Sequence, residues 1–239
     1  TLTAPVSVLE ELTLEGFNGN DVFIVNRLPA SVKLSIRAGF GSDRLDLAPP
    51  GSGLGGNLSV IDGAIHFIGG PGSDPGTDTI NFYDDQNGAD HNYVLSASTF
   101  SRTGMDAVTH TRTERFNLWA GWGHNTIRLN SLGVGDEATI DAGGGNDTIV
   151  LGNGNLSGNV RGLVDIVTGQ GSDELVFDDR NGTVADDFYV FQTGYFQSAV
   201  IPVIEWNTDS PPELITLHGS SKNSTTNIQN VADGVTLRV

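Results

Sequence analysis

The sequence predicts an all-β chain, a right-handed parallel β-helix of about nine rungs, and three observations predict it. A short apolar strand, a glycine-rich turn closed by Asp or Asn, and a second short strand recur as a unit along the chain. The turn-closing residues 21 and 43 lie 22 apart, as do 125 and 147, while 147 and 173 lie 26 apart; such spacing suits one circuit of a solenoid better than a run of hairpins. No segment repeats apolar residues every three or four positions for three turns, which an amphipathic helix would require. The clearest copy is Ile140–Leu151, where Gly143, Gly144 and Gly145 supply backbone freedom, Asp147 closes the turn, and Ile149 and Leu151 alternate in strand fashion.

The other copies follow in order. Leu12-Thr-Leu14 leads through Gly16, Gly19 and Asp21 to Val22–Val25, and Leu34-Ser-Ile36 through Gly39, Gly41 and Asp43 to Leu45–Leu47. Ile65-His-Phe67 enters Gly69-Gly70-Pro-Gly72-Ser-Asp74, and an insertion from Pro75 to Asp78 delays the exit strand Ile80–Phe82. Phe116-Asn-Leu118 passes Gly121, Gly123 and Asn125 to Ile127–Leu129; Val164-Asp-Ile166 passes Gly169, Gly171 and Asp173 to Leu175–Phe177.

A larger period lies above the small one. Phe116, Leu118, Ile127 and Leu129 each follow Leu12, Leu14, Phe23 and Val25 by 104 positions, and Tyr189-Val-Phe191 answers Tyr93-Val-Leu95. The chain therefore reads as one domain over 1–239, made of two copies of a roughly 100-residue unit, about 1–112 and 113–239. The fourth rung of each copy, near 91–112 and 186–211, lacks the glycine–aspartate turn and reads as strands with an excursion, a hairpin standing off the helix. Each glycine turn stands alone in its rung, which places all of them on one corner.

Composition narrows the chemistry. With no cysteine, thiol catalysis and Cys-based metal sites are excluded. A formal charge of −17 opposes nucleic acid and charge-driven binding to anionic lipid, and favours divalent cations or simple solubility. No apolar run reaches membrane-spanning length, so no membrane insertion is expected. The five histidines are dispersed without a paired metal spacing, and no G-x-S-x-G elbow occurs. His66, between Ile65 and Phe67, is expected to face solvent. Asp84, Asp85 and Asp90, with counterparts Asp178, Asp179, Asp186 and Asp187, read as solvated acidic loops. Trp119 and Trp122 flank the Asn125 turn and either stack on sugar or pack locally.

Ala142–Val150, Thr168–Val176, Ala38–Asp46 and Gly16–Ile24 each fit G-G-x-G-x-D-x-U-x with one mismatch among the glycines. Here the chain resembles the hemolysin-type, RTX-like calcium-binding repeats of secreted and surface bacterial proteins. The resemblance implies a parallel β-solenoid, export from the cell, and calcium held between neighbouring turns by carboxylate and carbonyl oxygens. It implies as metal-site residues Asp21, Asp43, Asp74, Asp78, Asn125, Asp147 and Asp173, with Gly19, Gly41, Gly145 and Gly171 shaping the turns. Calcium would bridge Asp21 with Asp43, Asp43 with Asp74 or Asp78, and Asp147 with Asp173. The alternative is that Asp and Asn close each turn on its own backbone without metal.

Two functions stay open on the sequence. The first is a non-enzymatic structural or adhesive building block of a secreted or cell-surface protein, stacking end to end or on neighbouring repeats because no capping rung is visible. The second is a carbohydrate-active β-helix enzyme or a carbohydrate-binding module, with surface polysaccharide as partner. A groove with clustered aromatics and carboxylates on one face would favour the second.

Overall fold

Alternating apolar and polar residues over four or five positions build many of the strands, because successive side chains point to opposite faces. In β3 (Lys33–Arg37), Leu34 and Ile36 are buried while Lys33 and Arg37 face water. A computed structural model describes residues 10–51, 56–184 and 187–239. It is all-β, with two large, mostly parallel sheets of eleven and ten strands. Among the described residues, no helix is long and apolar enough to cross a membrane.

The first unit contributes β1 (Glu11–Glu15), β2 (Val22–Val25), β3, β4 (Arg44–Leu47), β5 (Ile65–Ile68), β6 (Thr79–Tyr83), β7 (Asn92–Leu95), β8 (Thr99–Arg102) and β9 (Val108–Thr111). The second contributes β10 (Arg115–Trp119), β11 (Thr126–Leu129), β12 (Glu137–Asp141), β13 (Thr148–Leu151), β14 (Leu163–Val167), β15 (Glu174–Asp178), β16 (Asp187–Gln192), β17 (Tyr195–Ser198) and β18 (Ile204–Trp206). Three more follow: β19 (Leu214–His218), β20 (Ser224–Ile228) and β21 (Thr236–Arg238). The eleven-stranded sheet runs β1-β3-β5-β9-β8-β7-β11-β13-β15-β19-β21, and the ten-stranded sheet β2-β4-β6-β10-β12-β14-β18-β17-β16-β20. Outside the excursions, consecutive strands alternate between the sheets.

Strand registers, parallel except within the meander, line up like side chains across many strands. One interior row reads Phe23, Leu45, Ile80, Phe116, Ala138, Val164, Ile204, Phe196 and Phe191. From Leu45 to Phe191 these residues are fully or nearly fully buried, and a fully buried side chain of this size contributes about 1.5–3 kcal/mol of transfer free energy.

Two expectations are corrected. The excursions do not stand off the body: β7-β8-β9 and β16-β17-β18 are antiparallel meanders inside the sheets. Their aromatic residues explain why. Phe100 on β8 stacks on Phe82 of the opposite sheet at 3.8 Å between ring centroids, and Phe196 on β17 stacks on Phe177 at 4.3 Å. Such faces belong in a core. Nor do the glycine turns share one corner. Three of them, at Asp21, Asp43 and Asp78, carry the chain from the eleven- to the ten-stranded sheet; the other three, at Asn125, Asp147 and Asp173, carry it back. The second unit thus repeats the first with the two sheets exchanged.

Candidate functional site

Each turn must bring two strands of different sheets together through very little space. Gly41 sits at φ +132°, and a Cβ there would lie 2.2 Å from the Gly19 carbonyl oxygen; Gly145, at φ +106°, would meet the Gly123 oxygen at 2.5 Å. Only glycine permits this contact. Gly171 answers them in the next turn at φ +143°, while Gly19 takes φ +120° with open space around it. Backbone bonds then join turn to turn: Phe40 N–H donates to the Phe17 carbonyl at 2.7 Å and Gly19 N–H to Phe40 at 2.8 Å, and Gly145 N–H to Gln170 at 2.8 Å repeats the pattern on the other edge.

The turn-closing acids do something the sequence did not suggest. From Asp43 onward, each turn-closing side chain accepts from the backbone N–H of the equivalent residue in the preceding turn. On the first edge Asp21 N–H donates to Asp43 Oδ1 at 2.7 Å, Asp43 N–H to Asp78 Oδ1 at 2.9 Å, and Asp78 N–H to Glu114 Oε2 at 2.8 Å. On the second, His91 N–H donates to Asn125 Oδ1 at 3.1 Å, Asn125 N–H to Asp147 at 2.7 Å, Asp147 N–H to Asp173 at 2.8 Å, and Asp173 N–H to Glu213 Oε2 at 2.6 Å. These are two carboxylate–amide ladders. One residue earlier, Ser42 N–H donates to Asn20 Oδ1 and Ser172 N–H to Asn146 Oδ1, running the opposite way along the stack.

The predicted pairs 21/43, 43/78 and 147/173 are therefore neighbours, joined by an amide proton. Asp74 stands aside: its Oδ2 accepts from Gly41 N–H at 3.1 Å and its Oδ1 from Gly76 N–H, so Asp78, the last residue of the insertion, fills the ladder place. Glu114 and Glu213, which end the ladders, were missed as site residues. Their signal lies in the sequence, where Glu114-x-Phe116 and Glu213-x-Ile215 place a glutamate two residues before an apolar strand residue in both units.

Three of the acids keep one oxygen unsatisfied, whereas Asp78 fills both, its Oδ2 accepting from Gly70 N–H at 2.7 Å. Oδ2 of Asp21, Asp43 and Asp147 is buried without a hydrogen-bond partner, an expensive arrangement for a charged carboxylate. Burial accordingly pushes the Asp43, Asp78 and Asp173 carboxyls above their ordinary range, and neighbouring acids add to the shift. Asp147 is pushed up to about 7 by the same burial, against the opposing amide of Asn125. Asn125 shows the satisfied form of this slot: its Nδ2 donates to the Gly121 carbonyl at 3.1 Å. These oxygens fit a cation in their orphaned state. The donor set fits less well, because Oδ1 of Asp43 and of Asp147 is taken and no group of three or more His, Asp or Glu side chains converges among the described residues.

The solvated acidic loops are corrected in part. Asp84 is fully buried and pairs with Arg102 Nε at 2.6 Å; its carboxylate also accepts from Tyr93 Oη at 2.7 Å and Leu58 N–H at 2.8 Å. Arg102 Nη2 lies 2.7 Å from His91 Nε2, and burial followed by that guanidinium pushes the His91 imidazole down. Asp179 repeats the scheme without the arginine, accepting from Tyr189 Oη at 2.7 Å and from Ser157 Oγ at 2.9 Å. Asp178 is buried too and bonds Arg180 Nε at 2.8 Å. Asp90 is exposed, and Asp186 lies outside the described residues. His66 is half-buried, with Nδ1 2.8 Å from Thr109 Oγ1.

A surface groove of about 310 Å³ lies on the second edge. Trp119, Trp122, Asp85, Gln86, Asp141 and Gln170 line it. Trp119 stacks on Tyr83 at 4.5 Å with rings 2° from parallel, while Trp122 is 70% exposed. No known family model matches the chain, and no curated protein matches it significantly.

Proposed function

We propose that the chain is a non-enzymatic building block of an extracellular or cell-surface repeat protein, a right-handed β-solenoid of about nine rungs that propagates by stacking. The observation that supports it most is the pair of carboxylate–amide ladders. They commit the turn acids to holding one turn against the next. Side chains so engaged serve a rigid support better than general acid–base work, which needs a carboxylate free to reach substrate. The alternative of a carbohydrate-active enzyme draws support from one groove only, and saccharide contact there requires no catalysis.

Calcium belongs to this proposal as the ion that the orphaned Oδ2 atoms of Asp21, Asp43 and Asp147 would hold in the turns, beside backbone carbonyls. Thermal unfolding at pH 8 in excess chelator and in millimolar calcium tests it. Binding to the folded state alone adds about 2.7 kcal/mol at a hundredfold excess over the dissociation constant, so the midpoint should rise by several degrees. An unchanged midpoint removes calcium from the proposal and leaves the ladders and the turn-to-turn backbone bonds to hold the turns together.

A further inference from the structure

The groove on the second edge carries an inference of its own. Strand register puts Tyr83, Trp119 and Asp141 in one row across β6, β10 and β12. Tyr83 covers one face of Trp119 and so fixes the indole, leaving its other face toward Asp141. Asp141 is held in turn: its Oδ1 accepts from Gly143 N–H at 3.0 Å, which orients the carboxylate and leaves the second oxygen to accept from a ligand. Trp122 projects from the next turn, largely in water.

The scaffold does not require these residues. The positions 104 earlier in the first unit, which take the same places in its turns, are Glu15 for Trp119, Arg37 for Asp141 and Phe40 for Gly144. There Arg37 Nη1 and Glu15 Oε1 form an ion pair at 3.5 Å, and Phe40 supplies bulk where the second unit has none. The fold is therefore built equally well without a groove, and one unit alone has an aromatic and acidic one. A large exposed indole with no structural duty points to a ligand.

We propose that this groove binds a neutral saccharide, with a sugar ring lying on the exposed indole and its hydroxyls shared between Asp141, Asp85, Gln86 and Gln170. The chemistry of the lining selects that class. Its carboxylates and the absence of Lys or Arg from the lining turn away anionic ligands. The two amides offer donors as well as acceptors, which hydroxyl groups use and a simple cation does not. The volume stands at the lower end of small-molecule sites, about 300 Å³, enough for a short stretch of a chain that continues along the surface. This site goes beyond the scaffold reading and does not depend on it, because the calcium melt and a binding assay report on different residues.

Native electrophoresis through gels containing dextran, mixed-linkage β-glucan or galactomannan tests the site, with bound and free mobility giving a dissociation constant. At least one polymer should retard the wild-type chain. Trp122→Ala should weaken that binding by about tenfold or more. Gly144→Phe, which introduces the first unit's residue, should abolish it. A Cβ at Gly144 meets nothing nearer than the Gln170 carbonyl oxygen at 3.9 Å, so this variant keeps the fold and fills the groove. Phe40→Ala, an exposed aromatic of the other unit, should be retarded like wild type, and all three variants should melt near the wild-type temperature. Retardation by none of the three polymers, or retardation that Trp122→Ala leaves unchanged, overturns the proposal. Quenching of tryptophan fluorescence by choline, without retardation by any polymer, overturns it too and assigns the groove to a cation.

Discussion

Asn125 and Asp147 occupy the same place in consecutive turns and differ by one group, so the pair acts as a natural substitution experiment. The amide donates Nδ2 to the Gly121 carbonyl, whereas the corresponding Asp147 oxygen is buried and unmatched. A proton on Asp147 would relieve the charge, and burial raises its pKa from 3.8 to about 7 accordingly. The folded state then holds the proton more tightly than the unfolded chain. Its stabilising contribution is full below about pH 4 and is lost as pH rises toward 7. Asp147→Asn supplies the missing donor permanently. We expect it to be more stable than wild type by about 1 kcal/mol at pH 8, with the advantage shrinking toward pH 4. Denaturant melts of both proteins at the two pH values check this; a variant less stable at pH 8 would mean that the carboxylate is charged and bound there.

At the scale of elements, the question is what fastens each meander into its sheet. In the first unit it is Arg102, on β8, whose guanidinium reaches across to the Asp84 carboxylate at a point where both side chains are shielded from water. A buried ion pair is a poor source of net stability, but breaking it leaves one buried charge alone. Arg102→Met should therefore cost about 3–5 kcal/mol, and the double variant Arg102→Met/Asp84→Asn should recover most of that loss. Urea melts of the two variants read the difference, and no recovery in the double variant would show that Arg102 acts by packing. This pair also marks the limit of what the sequence disclosed. Alternation in segments such as Lys33–Arg37, and glycines placed before Asp21, Asp43 and Asp147, made strands and turns legible because their causes are local. Asp84 read as solvated because charge is visible in a sequence and a partner eighteen residues away is not. The groove was half legible. Trp119 and Trp122 stood out as large residues beside a turn, but Asp141 joins them through a cross-strand register that no local pattern records.

The whole molecule gains its balance from the way the two units are joined. A three-stranded meander widens one sheet only, and two of them on the same side would leave the sheets badly unequal. Each unit instead places an odd number of strand positions before the next begins, so the second starts on the opposite sheet and its meander widens that one. Eleven and ten strands result. The same exchange sends the two acid ladders to opposite edges and spreads the buried carboxylates along the length of the body. Their combined titration should favour the fold at lower pH. Asp43, Asp78, Asp147 and Asp173 are all raised by burial, and each binds its proton more tightly when folded. Three groups act the other way: Arg180, an exposed partner screened by solvent, lowers Asp178, and burial lowers His91 and pushes His110 down to about 4, so these histidines favour the fold at higher pH and offset part of the gain. A net charge of −17 acts in the same direction as the ladders, since protonation reduces self-repulsion. In chelator, the melting midpoint should therefore be higher at pH 5 than at pH 8, by several degrees for a change of about 2 kcal/mol in a chain of this size. Calorimetry across that range decides it. A midpoint that climbs with pH would mean the ladder acids are ionised in the fold, with their second oxygens held by something other than a proton.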